Sequence, residues 1–403
     1  MATVFTESYS GRPYRKVSYD SMAHVPTSIV TNATGTFKTL ISYMTKLQTV
    51  LIEVFLPQGY PYSVSNDYLR YQVWDTLQAF ASSLTGALAT EAVLKGAGVG
   101  DQSASTLAAS LVWITKDGLG MIGRIAFSFI KGWELDYDCK KWRFLADIFN
   151  DMAFFVDLMA PSFSGSFVFC ACTSSLLRSI VGVAGGATRT AIVQHQARRN
   201  NLADVASKDG SQETMVNISA LLVSFIMLPL VSGKQNVVWS LYLVFTFVHL
   251  YANYQAVRAL NMDTLNPKRI TIQIRSWLSS GKVLSIRECN AMEPLFYSFG
   301  KRYLGCSMYN ILSYKKRVPS ARLLIKESYT LLFDITRNIG WIAMADTATK
   351  YSALNALFDL EILAKDKTSP DNFNAFVEEL CKYGWKVDTS NLGFDEWTYS
   401  THM

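Results

Sequence analysis

Charged side chains are scarce in this chain. They make up 17% of its 403 residues, against about 25% in soluble domains. Histidine is scarcer still. His24, His195, His249 and His402 are scattered along the sequence, which argues against a histidine metal centre. The cysteines are Cys139, Cys170, Cys172, Cys289, Cys306 and Cys381. They offer no second pair at zinc spacing, and the thiols are read as reduced. No phosphate-binding loop ends in Gly-Lys-Ser or Gly-Lys-Thr. Gly96-Ala97-Gly98-Val99-Gly100 follows a helical pattern rather than a strand, which disqualifies it as a dinucleotide loop. No Ser-His-Asp arrangement can be picked out. No enzymatic activity, catalytic residue, metal or cofactor is therefore expected. Met1 to Met22 is polar, carries Arg12, Arg15 and Lys16, and lacks the apolar core of a signal peptide.

What is abundant is apolar sequence, half of the chain by composition. It falls into stretches over Val73 to Lys95, Ser105 to Ile130, Trp142 to Ala160, Phe167 to Val193, Glu213 to Val231 and Val237 to Val257. Each is near the roughly 20 residues that cross a hydrocarbon core. None is purely apolar, so such helices must pack together and hide polar faces. The loops between them alternate. Gly96 to Ser103 and Pro161 to Ser166 lack Lys and Arg, and Ser232 to Val237 has only Lys234. The other loops carry Lys131, Lys140, Lys141 and Arg143, then Arg198, Arg199 and Lys208, then Arg258, Lys268 and Arg269. Basic loops stay in the cytosol. The pattern predicts a multi-pass protein with both termini cytosolic. It also explains the net charge of +6 without a nucleic-acid partner, which would want one basic face.

Residues 1–35 read as a mobile polar arm. Phe37 to Leu56 has helical periodicity, with Leu40, Met44, Leu47, Leu51 and Val54 on one face. It either lies in the membrane surface or packs on the rest of the protein. Pro57-Gln58-Gly59-Tyr60-Pro61 breaks it, and residues 36–68 form this helix and linker. Asn66 or Asp67 is placed to cap the next helix. Residues 69–257 form the helical bundle. Gly182 and Gly186, and Gly86 and Thr90, have the spacing that lets helix backbones approach. Gly118, Gly120 and Gly123 interrupt the second stretch. Gly86 to Thr90 is faintly echoed in Gly186 to Thr190, as in repeat-built transporters. Residues 258–403 read as a cytosolic α+β domain. Strands are expected at Ile270 to Ile274, Leu331 to Ile335 and Gly340 to Met344, helices at Ala348 to Ala364 and Asp371 to Tyr383, and a strand or loop over Trp385 to Trp397.

Charges inside spans point to function by default. Asp147, Asn150, Asp151 and Asp157 fall within about 120° on the third stretch, and Arg178, Gly182, Gly185 and Arg189 within about 60° on the fourth. Lys116, Gly120, Gly123 and Arg124 share a face on the second. Lys116, Asp117, Arg124, Asp147, Asp151, Arg178 and Arg189 are thus candidates to line a polar cavity, with the arginines holding an anion. In the structural reading they neutralise one another and fix helix register. His195, Arg198, Arg199, Asp209 and Glu213 mark a second candidate, a cytosolic loop site for phosphate or an acidic partner. Read structurally, the same segment is a turn capped by Ser211. His249 is expected to be a hydrogen-bonded packing residue.

Several motifs are familiar. They are Leu56-Pro57-Gln58-Gly59-Tyr60-Pro61, Tyr68-Leu69-Arg70-Tyr71-Gln72-Val73-Trp74-Asp75, Arg178 to Arg189, Gln194 to Asn201, Asp209 to Glu213 and His249 to Tyr254. Together they resemble the RUS family, named for a root ultraviolet-B-sensitive phenotype, over residues 50–345. The chain looks like the animal-type branch rather than a plant one, and the plastid-targeting extension of plant members is not expected here. The resemblance implies a membrane protein linked in plants to ultraviolet-B responses and vitamin B6 balance, and supplies no catalytic residues.

The expected fold is a mainly α, polytopic membrane bundle of about six spans, half of a major-facilitator-like architecture, followed by a cytosolic α+β domain. The expected function is a carrier-like protein for a small polar or anionic solute. Its partners are the lipid bilayer and a second copy or a related family member. The alternative is a non-transporting scaffold or regulator acting through its cytosolic domain.

Overall fold

The computed structural model describes residues 2–9, 12–20, 26–28, 50–98, 106–162, 167–296, 300–365 and 372–400. The chain is mainly helical. Six long helices build the bundle: α1 (Tyr68–Gly96), α2 (Thr106–Lys131), α4 (Cys139–Met159), α5 (Phe167–Gln196), α6 (Leu202–Val231) and α7 (Gln235–Ala259). A short α3 (Glu134–Tyr137) turns the chain between α2 and α4. The shortest of the six, α4, has 21 residues, about 30 Å at 1.5 Å per residue. Three of them, α5, α6 and α7, are long and apolar enough to cross a membrane.

Helix α1 is central and packs on α4, α6 and α7, while α5 packs on α2 and α4. Helices α2 and α5 approach closely at two glycines. A Cβ on Gly120 would come within 2.7 Å of Ser175 Oγ, and one on Gly123 within 2.4 Å of Ser179 Oγ. The glycines expected to interrupt α2 are instead its contact face, and the helix runs through them. Gly182 and Gly186, expected to make a close crossing, would place a Cβ in open space. Large apolar side chains cover the outside of the bundle. Phe129 is 89% exposed and Phe247 71%, and Ile125, Phe225 and Ile226 resemble them. Apolar surface of this extent suits contact with lipid or protein rather than water.

Three expectations about local structure change. Residues 2–28, read as a mobile arm, carry an antiparallel sheet of β1 (Ala2–Tyr9), β2 (Arg12–Asp20) and β3 (Pro26–Ser28). Residues 37–49 of the amphipathic helix lie outside the described residues. Residues 50–55 are helical, with Leu51 and Val54 exposed. Ser211 caps nothing. Helix α6 starts at Leu202 and runs on, and the Ser211 hydroxyl donates back to the Ser207 carbonyl at 3.1 Å. Within this longer helix Gln212 and Lys208 donate to the Phe55 and Glu53 carbonyls of the preceding segment.

The C-terminal domain begins with α8 (Pro267–Ser280), where a strand was expected over Ile270 to Ile274. Asn266 accepts from the Arg269 amide at 2.7 Å, Pro267 occupies the first turn, and Gly281 ends the helix with φ of 68°, a well-capped start and stop. The Ile alternation misled because Thr271 and Gln273 are buried as well. Gln273 exchanges two hydrogen bonds with the Leu284 backbone, at 2.9 and 2.8 Å. After α9 (Ile286–Met292) comes a sheet of β4 (Lys301–Leu304), β5 (Arg322–Ile325), β6 (Tyr329–Asp334), β7 (Ile339–Ala345) and β8 (Thr398–Tyr399). Strands β5, β6 and β7 are antiparallel neighbours. The far edge of β7 pairs in parallel with β4 and, further along, with β8. Helix α10 (Met308–Arg317) links β4 to β5. Helices α11 (Lys350–Ala364) and α12 (Phe373–Lys382) pack with α8 on the sheet around Leu331, Phe358 and Phe376. The expected strands at Leu331 and Gly340 and the last two helices are all found.

Candidate functional site

A polar cavity of about 270 Å³ opens between α1, α4, α5 and α6. Each helix brings polar groups to it at helical spacing. Helix α1 supplies Gln72 and Asp75, α4 supplies Arg143 and Asp147, and α6 supplies Asp209, Gln212 and Glu213, each set lying on one face at three- or four-residue intervals. Helix α5 contributes Arg189 together with Gly182, Gly185 and Gly186. Those glycines have no side chain to fill the space, and the cavity owes its volume partly to them.

The charges are tied in pairs. Arg143 Nη2 donates to Asp75 Oδ1 at 2.9 Å, and the Tyr71 hydroxyl donates to the same oxygen at 3.3 Å. Arg189 donates to Asp209 at 2.5 Å and to Glu213 at 2.6 Å. Gln72 Nε2 donates to Asp209 at 3.1 Å. Behind the cavity wall lies a buried layer between α4 and α7. His249 Nδ1 sits 2.9 Å from both Asp151 oxygens, and its Nε2 is 3.3 Å from Asp147. Asn253 donates to Asp147. The Tyr242 hydroxyl donates to the Asp151 carbonyl at 3.1 Å. His249 is thus a packing residue hydrogen-bonded to Asp151, with Asp147 in ion-pair range of its other nitrogen. Asp147 touches both the cavity and this layer.

The candidate cavity residues divide. Asp147 and Arg189 line it. Asp151 lies behind it. Arg178 does not line it. It turns to Asp157 at 2.5 Å and packs over the Phe154 ring. Lys116 pairs with its neighbour Asp117 at 3.6 Å, and Arg124 is exposed on α2. Asp147 finds its partners on α7, in Asn253 and His249.

The structure does not bring the five expected loop residues together. Asp209 and Glu213 belong to α6 and join the cavity. His195 and Arg198 face the other way. His195 Nε2 contacts Asp67 at 2.9 Å, and Arg198 donates to Asp263 at 2.6 Å. Arg199 is exposed, and its amide donates to Asn201 at 3.1 Å. Asp67, at the N-cap position of α1, does not cap it. Its carboxylate instead takes His195, the Asn261 amide at 2.6 Å and the Ser65 hydroxyl. Burial opposes its ionisation, but His195 and these donors lower the Asp67 carboxyl to about 2. Asp263 is held lower than usual against burial by His195 and Arg198.

Sequence reasoning missed Asp75, Arg143 and Gln72. A signal was there: Arg143 and Asp147 are four apart on one helix face. Arg143 reads as a loop cation because it stands at the very start of the apolar stretch, directly after Lys140 and Lys141.

Residues 42–281 match the family described as the vitamin B6 photo-protection and homoeostasis domain. The chain is 42% identical over 274 residues to RUS family member 1 of Dictyostelium discoideum, covering 66% of this chain and 52% of that protein. It is 40% identical over 243 residues to protein root UVB sensitive 3 of Arabidopsis thaliana, covering 60% of this chain and 55% of that one. The chain therefore spans about half the length of these relatives. Protein root UVB sensitive 2 of Arabidopsis, chloroplastic, is 26% identical over 366 residues, 85% of this chain and 83% of its own. No solved structure matches. The family match covers every helix of the bundle and all the residues that line the cavity, and this chain belongs to the RUS family.

Proposed function

We propose that this chain is a non-enzymatic, multi-pass membrane protein that carries a small polar solute through the bundle. All six long helices span the bilayer in this reading, with both termini cytosolic. The apolar outer face of the bundle and the one-sided distribution of basic loops support it. Six spans equal half of a major-facilitator-type transporter, so a second copy or a related family member completes the unit.

The observation that carries the proposal is a cavity rich in charge inside an apolar shell. Its lining holds four carboxylates, Asp75, Asp147, Asp209 and Glu213, and two guanidiniums, Arg143 and Arg189, a formal balance of 2 − 4 = −2. That balance favours a neutral or cationic solute over an anion, because an anion would meet uncompensated carboxylates. The arginines are committed to those carboxylates and are not free to hold an anion.

The test is flux. Full-length protein in liposomes is assayed by shrink–swell light scattering with a panel of small neutral, cationic and anionic solutes. Gly185→Leu fills the cavity from a position where an added Cβ meets nothing within 4 Å. It should stop the flux that wild type supports and leave folding intact. Equal flux through wild type and Gly185→Leu, or none above empty liposomes for any solute, would sink the carrier reading.

A further inference from the structure

A second groove, of about 800 Å³, lies at the end of the bundle where the start of α1, the end of α7 and α9 meet. We propose that it binds a phosphate-bearing anion through Arg70, Arg258 and Arg287. The site is separate from the bundle cavity and does not rest on the carrier reading.

The groove's lining holds the arginines 70, 198, 258 and 287 and the aspartates 67 and 263, a formal balance of 4 − 2 = +2. Both carboxylates are spoken for. Asp67 accepts from His195, from Ser65 and from the Asn261 amide at 2.6 Å. Asp263 takes Arg198 at 2.6 Å and Lys386 at 3.1 Å. Arg258 donates to the Ala291 and Glu293 carbonyls at 2.6 and 2.8 Å. Those bonds fix its guanidinium against the end of α9 without neutralising it. Arg70 and Arg287 are exposed and meet no carboxylate among the described residues. Three uncompensated cations from three separate elements therefore line one groove, on a wall whose acids are already satisfied.

The chemistry of the occupant follows. A guanidinium presents a planar fork of donors that matches phosphate oxygens and sheds water more readily than an ammonium. A carboxylate offers two oxygens in one plane. A phosphate monoester offers three in different directions, suited to donors on three elements, and its charge of about −1.5 to −2 offsets the excess of the lining. Arg70 stands in the first turn of α1 and Arg258 in the last turn of α7. At that level a phosphate arrives either on a lipid headgroup or on a free phosphorylated compound.

The experiment has two arms, both on the full chain. In the first, inorganic phosphate is titrated at constant ionic strength against protein in phosphatidylcholine nanodiscs, and binding is read calorimetrically. In the second, nanodiscs are doped with phosphatidylinositol 4-phosphate, and native mass spectrometry reads the lipid retained after extraction. The comparison is with the double variant Arg70→Gln, Arg287→Gln. Neither side chain holds another of the described residues in place, so the unliganded unfolding temperature should not change. Each lost charge-assisted contact should weaken phosphate binding roughly tenfold. Saturable phosphate binding in neutral nanodiscs that the variant loses assigns a free ligand. Variant-sensitive lipid retention without it assigns a headgroup. Absence of saturable binding in both arms, or equal binding by wild type and variant, overturns the site.

Discussion

Glu293 is the residue on which the docking of the C-terminal domain turns. It is 3% exposed and stands between Lys140, 2.8 Å away on the bundle, and Arg269, at 2.8 and 3.0 Å on α8. Asn266 donates to it at 2.8 Å, and beside it Lys268 reaches Asp138 at 2.9 Å across the same junction. Burial opposes the ionisation of Glu293, but Arg269 and Lys140 hold its carboxyl well below the usual carboxylate range. Glu293→Gln keeps the shape and removes the charge. It leaves Lys140 and Arg269, 5% and 2% exposed, as buried cations without a counter-ion, which costs about 3–5 kcal/mol. At about 1.4 kcal/mol per factor of ten, amides of α8 that exchange through opening of this junction should exchange roughly a hundred to a few thousand times faster. The control is Glu379→Gln. Its pair with Lys382 has side chains 32% and 69% exposed and should contribute less than about 1 kcal/mol. Hydrogen exchange by mass spectrometry on the detergent-solubilised full chain reads both. If α8 in Glu293→Gln exchanges within about threefold of wild type while Glu379→Gln behaves the same, the network does not hold the junction and the reasoning fails.

Three further outcomes are expected. Gly123→Leu at the α2–α5 crossing meets Ser179 Oγ and Leu176 at once. It should lower thermal stability in detergent by about 1–3 kcal/mol or more, whereas Gly182→Ala, with open space at its Cβ, should change it by less than about 1 kcal/mol. Asp67 titrates at about 2 in the folded protein against 3.8 ordinarily. Because its folded pKa is depressed, it stabilises the protein above pH 4 and loses that contribution as pH falls from 4 towards 2. The loss is about 2 kcal/mol, and a denaturation series across that range should show Asp67→Asn losing less stability than wild type. Asp151→Asn leaves His249 with a weaker acceptor on a fully buried face. It should cost roughly 1–3 kcal/mol in detergent unfolding, and a variant as stable as wild type would count against a structural role for this contact.

Much of this protein is legible along the chain. The ends of the long helices other than the start of α6, the strands at Leu331 and Gly340 and the helices at Ala348 and Asp371 are set by local periodicity and by residues that break or cap it. A side chain's burial period records its own element. The family motifs were equally visible, because they are contiguous runs. Partnership between charges was not. Periodicity placed Asp147 and Arg189 on inward faces, but only the docking of α1, α6 and α7 decided that Arg189 meets Asp209 and Glu213 while Asp147 meets His249 and Asn253. The same docking split a compact loop motif between two sites. At Ile270 to Ile274 the alternation reads as a strand, although Asn266, Pro267 and Gly281 bound a helix there and tertiary burial takes in Thr271 and Gln273 as well. Hydrophobic faces are specified residue by residue, whereas the partner of a buried charge depends on which distant helix arrives within about 3 Å of it.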